Sequence, residues 1–185
     1  RLVAARGWPV TRDELIDMLW PDEADMARLS ARLSVQLSGV RRVLGGGVIA
    51  DRQSVRLDLD EVSTDLEAFH QATDDAAIVA AYTGEFLPED RYDDWTSGVR
   101  DEARSRFVAA ARRLASRSAE SGDHLRAATI ARRLIEADRY DEDAHRTLVD
   151  SLIAAGQPGD ARRAHDSWAS AMAELDIEIP DYPAT

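Results

Sequence analysis

Cysteine and lysine are both absent from the 185-residue chain, phenylalanine occurs three times, and no apolar run approaches the length of a membrane span. Without cysteine there is no disulfide framework, no zinc–cysteine site and no cysteine nucleophile, and the composition suits a reducing cytoplasm. Without lysine every cation is an arginine, for which a GC-rich coding sequence is sufficient explanation. No basic-then-apolar start resembles a signal peptide. The chain opens on Arg1 rather than Met, as expected of a fragment of something longer. A phosphate-cradling loop is missing too, because Gly45-Gly46-Gly47 is not followed by Lys and Ser or Thr. No serine sits in a nucleophile elbow. His70, His124, His145 and His165 lie on separate predicted helices, and no two share metal-ligand spacing. Asp141 and His145, one turn apart, read as a surface helix pair. No enzyme, cofactor or metal site is therefore expected.

What is present is a soluble composition, 44% apolar and 31% charged, long enough for one large domain or two small ones. The 23 arginines face 35 acidic residues, a net charge of −12. Counterion release makes nucleic-acid binders basic as a rule, so the total weighs against DNA. The distribution weighs the other way. Between residues 24 and 57 six arginines (Arg28, Arg32, Arg41, Arg42, Arg52, Arg56) face only Asp25 and Asp51.

Periodicity divides the chain near residue 62. Thr11 and Glu14 form a capping box, with Val10 and Leu15 as its staple, opening a helix over 11–20 that Pro21 stops. Leu29, Leu33, Leu37, Val40 and Leu44 are the core stripe of a helix over 24–44, ended by Gly45–Gly47. Val48–Ala50 and the alternating Val55–Leu59 predict a β-hairpin with its tip at Asp51–Ser54. Beyond residue 63 only helices are predicted, at 64–73 (capping box Thr64 and Glu67), 75–83, 94–121, 123–137, 142–155 and 160–175. Acidic pairs Asp74-Asp75 and Asp93-Asp94 suit helix starts. Leu114, Gly122 and Ala127 recur as Leu148, Gly156 and Ala161, each 34 residues on. That period is the tetratricopeptide signature, with Arg139 where the pattern usually has proline. Arrays of this kind present concave surfaces to proteins or peptides.

Helix, turn, long helix and hairpin is the order of a winged helix, in which the second helix enters the major groove and the wing reaches the backbone or minor groove. Opposite Leu33 the helical wheel places Arg28, Ala31, Arg32, Val35, Ser38, Gly39 and Arg42, with Gln36 and Arg41 flanking. Arginine suits phosphates and guanine edges, and Gln or Ser suits base edges or phosphates. The wing offers Arg52 and Arg56. Against this, arginines on an outer helix face are most often merely solvated, and Ala31, Val35, Ser38 and Gly39 make the face small and neutral.

Several motifs, in order, resemble the Streptomyces antibiotic regulatory protein family, which joins an OmpR-like winged helix to a bacterial transcriptional activator domain. Arg6–Leu15 with Leu19–Asp22 resembles the opening of its helix-turn-helix, and Leu33–Gly45 its recognition helix. Val62–Phe69, Tyr82–Pro88, Asp94-Trp95, Gly122–His145 and Glu174–Pro180 resemble successive parts of the activator domain. Three departures stand out. Only Arg1–Arg6 precedes the turn, where the family has a small β-sheet and a full first helix. Gly39 replaces a phosphate-binding arginine. Ser54-Val55 stand before Arg56 in place of Gly-Tyr.

The resemblance implies a mainly α fold: a partial winged helix with a hairpin wing over 1–62, then a tetratricopeptide-like helical repeat domain over 63–185. It implies a cytoplasmic transcription regulator, without membrane contact, that binds promoter DNA, its repeat domain serving dimerisation or protein contacts. Arg28, Arg32, Ser34, Gln36, Ser38, Arg41, Arg42, Arg52 and Arg56 are the expected DNA-binding residues. The inter-helix loop, Trp20, Asp22, Glu23 and Asp25, corresponds to a segment that touches RNA polymerase in OmpR-like proteins. A homodimer and a peptide in the repeat groove are the other partners implied. The alternative expectation is a degenerate winged helix, repurposed as an interaction module within a larger signalling or membrane-linked protein.

Overall fold

The structure is a computed structural model that describes residues 8–88 and 94–182, excepting the side chains of Asp94 and Trp95. The Arg1–Arg6 stub, Gly7 and Asp93 lie outside the described residues, so the expectations placed on them are not addressed. Contacts gather the chain into two compact units, Arg1–Gln71 with Leu87–Val99, and Ala72–Phe86 with Arg100–Thr185.

The first unit begins with a short strand β1 (Val10–Thr11) leading into helix α1 (Arg12–Leu19). The capping box forms as expected: Glu14 N–H donates to Thr11 Oγ1 at 3.2 Å, and Thr11 N–H donates to the Glu14 carboxylate at 3.0 Å. Helix α2 (Met26–Val43) is capped by Asp25, whose carboxylate accepts from Arg28 N–H at 3.1 Å. Strands β2 (Val48–Ala50) and β3 (Ser54–Leu57) form the expected hairpin. Asp51 shapes its tip by accepting from the amides of Gln53 and Ser54, both at 2.7 Å.

The sequence pattern left Val10 as a mere staple. In the structure it is also a strand residue, paired with Val55, so that the hairpin becomes a three-stranded antiparallel sheet in the order β1-β3-β2. Val10, Leu15, Ile16, Leu29, Leu33, Leu37, Val48 and Val55 make one core. The α2 stripe stops short of its predicted length. Val40 and Leu44 are 43% and 40% exposed, and the core closes at Leu37. Past that point Arg41 is turned onto the β2 backbone, and neither Val40 nor Leu44 belongs to the core cluster. Helix α3 (Asp65–Gln71) starts with half of the expected box. Glu67 N–H donates to Thr64 Oγ1 at 3.0 Å, while the Glu67 carboxylate accepts from Gln71.

The second unit is helical: α4 (Asp75–Ala81), most of α5 (Asp94–Glu120), α6 (His124–Ala137), α7 (Glu142–Ala154) and α8 (Pro158–Ala173). The 34-residue repeat is physical. Gly122 and Gly156 take positive φ of 82° and 71°, the left-handed turn that glycine enters without steric cost. Asp123 N–H donates to Ser118 O and, one period on, Gln157 N–H donates to Leu152 O, each at a helix C-terminus. Ala127 and Ala161 are fully buried, Ala161 in one cluster with Leu148 and Leu152 of α7. A larger side chain at either position would overpack the core. The core continues through Ala128, Ala131, Leu148 and Leu152.

One expectation is corrected here. Asp141 and His145 are no surface pair, being only 8% and 4% exposed. Asp141 caps α7 through Ala144 N–H and accepts from Arg112 at 2.9 Å. His145 Nε2 donates to Arg139 O at 2.9 Å, which leaves Nδ1 as a buried acceptor without a partner among the described residues.

Candidate nucleic-acid interface

Helix α2 divides cleanly between packing and exposure. Leu29, Leu33 and Leu37 point into the core, and every residue from Ala31 to Val43 other than Leu33 and Leu37 is exposed. Each predicted contact residue can then be sorted by what its side chain already holds.

Arg41 is committed to the fold. Its Nε donates to Val48 O at 3.0 Å and its Nη2 to Ala50 O at 3.5 Å, so the guanidinium fixes the hairpin against the end of α2. Arg32 lies 4.6 Å above the Trp20 ring and donates to Glu23 at 2.8 Å. At that exposure the ion pair is worth at most about 1 kcal/mol, and its effect is to aim the side chain. Ser34 Oγ donates to Ser30 O within the helix and accepts from Arg12 Nη2 at 2.7 Å. Ser38 Oγ donates to Ser34 O. Arg28, Gln36 and Arg42 on α2, with Arg52 and Arg56 on the hairpin, are exposed and make no side-chain hydrogen bond or ion pair among the described residues. Arg28 and Arg42 are fourteen residues apart on one face. At about 1.5 Å per residue they are separated by about 21 Å, more than the ~12 Å width of a major groove.

The inter-helix loop is less open than its sequence implies. Trp20 packs against the core, Glu23 holds Arg32 and Asp25 caps α2, which leaves Asp22 exposed and without a hydrogen bond or ion pair among the described residues. Arg12 is a residue the periodicity did not reveal. It ties α1 to α2 through Ser34 Oγ and Ser30 O. A cation beside a capping threonine carries no signal of such a bridge, because its partners lie 18 and 22 residues away.

Charge at the hairpin tip is fixed by local geometry. The Gln53 and Ser54 amides hold the Asp51 carboxyl below the usual carboxylate range. In the second unit α6, α7 and α8 border a cleft of about 370 Å³ lined by Arg132, Ile135, His145, Leu148, Arg163 and Ser167. The unpartnered His145 Nδ1 is sealed from solvent and offers this cleft no hydrogen bond.

The architecture thus pairs a helix–helix–hairpin unit bearing uncommitted arginines with a helical-repeat unit. The chain belongs to the bacterial transcriptional activator domain family, whose profile matches residues 53–181. Among curated proteins none matches the chain. The family is regulatory rather than enzymatic, and membership assigns the chain a role in transcription regulation. Among the described residues no helix is long and apolar enough to cross a membrane.

Proposed function

We propose that the chain is a promoter-binding transcription regulator, related to the Streptomyces antibiotic regulatory proteins, whose residues 1–62 act as a winged helix. Helix α2 enters the major groove and the β2–β3 wing follows the backbone. The observation that carries this reading is the set of four uncommitted arginines, Arg28 and Arg42 along one face of α2 and Arg52 and Arg56 on the hairpin. In an acidic chain these exposed arginines are available to neutralise phosphate. Ser38 lies beside them on the same face and Gln36 on its flank, both offered to the base edges, while Ser34, bridged to Arg12 of α1, stands to the other side. Arg32, aimed by Trp20 and Glu23, joins from the flank, and Arg41 acts indirectly by fixing the wing. Residues 63–185 form a tetratricopeptide-like domain for dimerisation or protein contacts, with two subunits on direct repeats. The Trp20–Asp25 loop offers Asp22 to RNA polymerase, and the protein works in the cytoplasm.

A second reading has its own observation. Val35 and Val43, 71% and 84% exposed, share the outer face of α2 with Gly39. The seam is apolar where a groove-reading helix is usually polar. In this reading the unit has lost DNA and docks a protein within a larger signalling assembly.

Fluorescence anisotropy against fragments flanking the gene, over a salt series, separates the two. Salt-sensitive binding weakened by Arg42→Ala supports the regulator. Binding to no fragment at low salt supports the docking module.

A further inference from the structure

The end of the helical repeat is covered by the chain's own last described segment. After α8 the backbone reverses at Asp176, whose φ of 56° is left-handed, with Ile177 N–H donating to Met172 O at 3.0 Å. The chain then runs back along α8. A sixteen-residue helix is about 24 Å long, and the nine residues from Glu174 to Tyr182, eight steps of chain, span at most about 26 Å. The contacts follow that course. Glu174 accepts from Arg139 and from the Tyr140 hydroxyl beyond the end of α6. His165 Nε2, midway along α8, donates to Pro180 O at 2.8 Å. The Tyr182 hydroxyl donates to Pro158 O, at the first turn of α8, at 3.4 Å.

Two features give this cover the character of a bound peptide. The first is its periodicity. Ile179 and Tyr182 are partly buried, whereas Ile177, Glu178, Pro180 and Asp181 are exposed. Every third residue faces the protein, as in a polyproline II chain, and Pro180 restricts both itself and Ile179 to extended backbone. Ile179 packs against the cluster formed by Val149, Trp168, Ala171 and Met172. Tyr182 meets both core clusters and lies between the Arg162 guanidinium, 4.9 Å from its ring, and the His165 ring at 5.4 Å. An aromatic- and arginine-lined face of this kind is how such chains are recognised. The second feature is its attachment. From Glu178 to Tyr182 no backbone–backbone hydrogen bond is made among the described residues, so side chains alone hold it. Segments held so lightly open independently of the helices beneath them.

We propose that the α7–α8 face is a docking site for an extended segment of a partner protein, bearing a branched aliphatic residue, proline next, and tyrosine three positions on. The 177–182 segment is its resident competitor. A cover that is also a ligand lets a partner exchange with it. This inference is independent of DNA binding.

The test is a fluorescein-labelled peptide with the sequence of residues 174–182, titrated by anisotropy against the whole chain. The Ile179→Ala/Tyr182→Ala variant, with its cover weakened, is expected to bind at least ten-fold more tightly than the wild type. A peptide whose tyrosine is replaced by alanine is expected not to bind. No binding to a variant that keeps its helical circular dichroism, or equal binding to both chains, overturns the proposal. If the double variant does not fold, Tyr182→Ala alone is titrated with the same peptide: tighter binding than to the wild type supports a displaceable cover, and equal binding overturns it. A wild-type dimer dissolved by Tyr182→Ala would mean exchange between copies and would also overturn the partner reading.

Discussion

Adjacent arginines on α2 have different work, and two glycines of one segment differ as sharply. Arg41 spends its donors on two β2 carbonyls, while Arg42 keeps all of its own. Arg41→Ala is therefore expected to speed hydrogen exchange across the hairpin. Arg42→Ala should leave exchange unchanged and act only on DNA affinity. A Cβ at Gly47 would sit 2.0 Å from Val62 Cγ2, on a backbone of positive φ, whereas a Cβ at Gly39 would meet nothing within 4 Å. Gly47→Ala is expected to cost about 1–3 kcal/mol. Gly39→Ala is expected to gain up to about 1 kcal/mol, the propensity that an unneeded helical glycine forgoes. Urea midpoints moving in opposite directions would confirm the pair. The folding of α2 does not require Gly39, so its place on the outer face is a matter for whatever meets that face.

The elements show how far local pattern reaches. Both hairpins of the repeat carry the same buried alanine, Ala127 and Ala161. Replacing either with leucine should overpack the helix crossing and cost about 1–3 kcal/mol, read as a lower melting midpoint. Helix α4 is held by Asp75, which accepts from Arg113 and Arg117 of α5 at 2.6 and 2.7 Å. The Arg113 and Arg117 hydrogen bonds hold its carboxyl below the usual carboxylate range. Its contribution is fully present above the unfolded carboxylate value near pH 4 and disappears as pH falls through the lowered folded value. Acid titration should accordingly release α4 amides below about pH 4, and Asp75→Asn should release them at neutral pH. A profile unchanged by Asp75→Asn would contradict this. The helices, their glycine stops and the hairpin were legible because caps, stops and periodicity are local. Strand β1 was not, because two residues have no period and Val10 pairs with Val55, 45 positions away. The reach of the α2 stripe was misread for a related reason. Val40 and Leu44 fit the wheel, yet burial needs a covering element, and the wheel contains none.

At the scale of the molecule the net charge of −12 conceals a division of labour. Arginines of the second unit are largely spent inside it, on Asp75, Asp138, Asp141, Glu142, Asp160 and Glu174. The uncommitted ones on α2 and the hairpin stand where the sequence placed a basic segment. Of the candidate interface, the residue types and their face were readable from spacing. Which arginine is free and which is structural was not, because the partners of Arg32 and Arg41 lie on a loop and a strand whose positions only the fold supplies. The measurement that bears most directly on the account is anisotropy of the whole chain with promoter-flanking DNA from low to high salt. The account predicts a linear fall of log affinity with log salt. It also predicts a slope smaller by about 0.9 on replacing any one of Arg28, Arg42, Arg52 or Arg56 with alanine. Affinity and slope that these four substitutions leave unchanged, or no binding at the lowest salt, would contradict it.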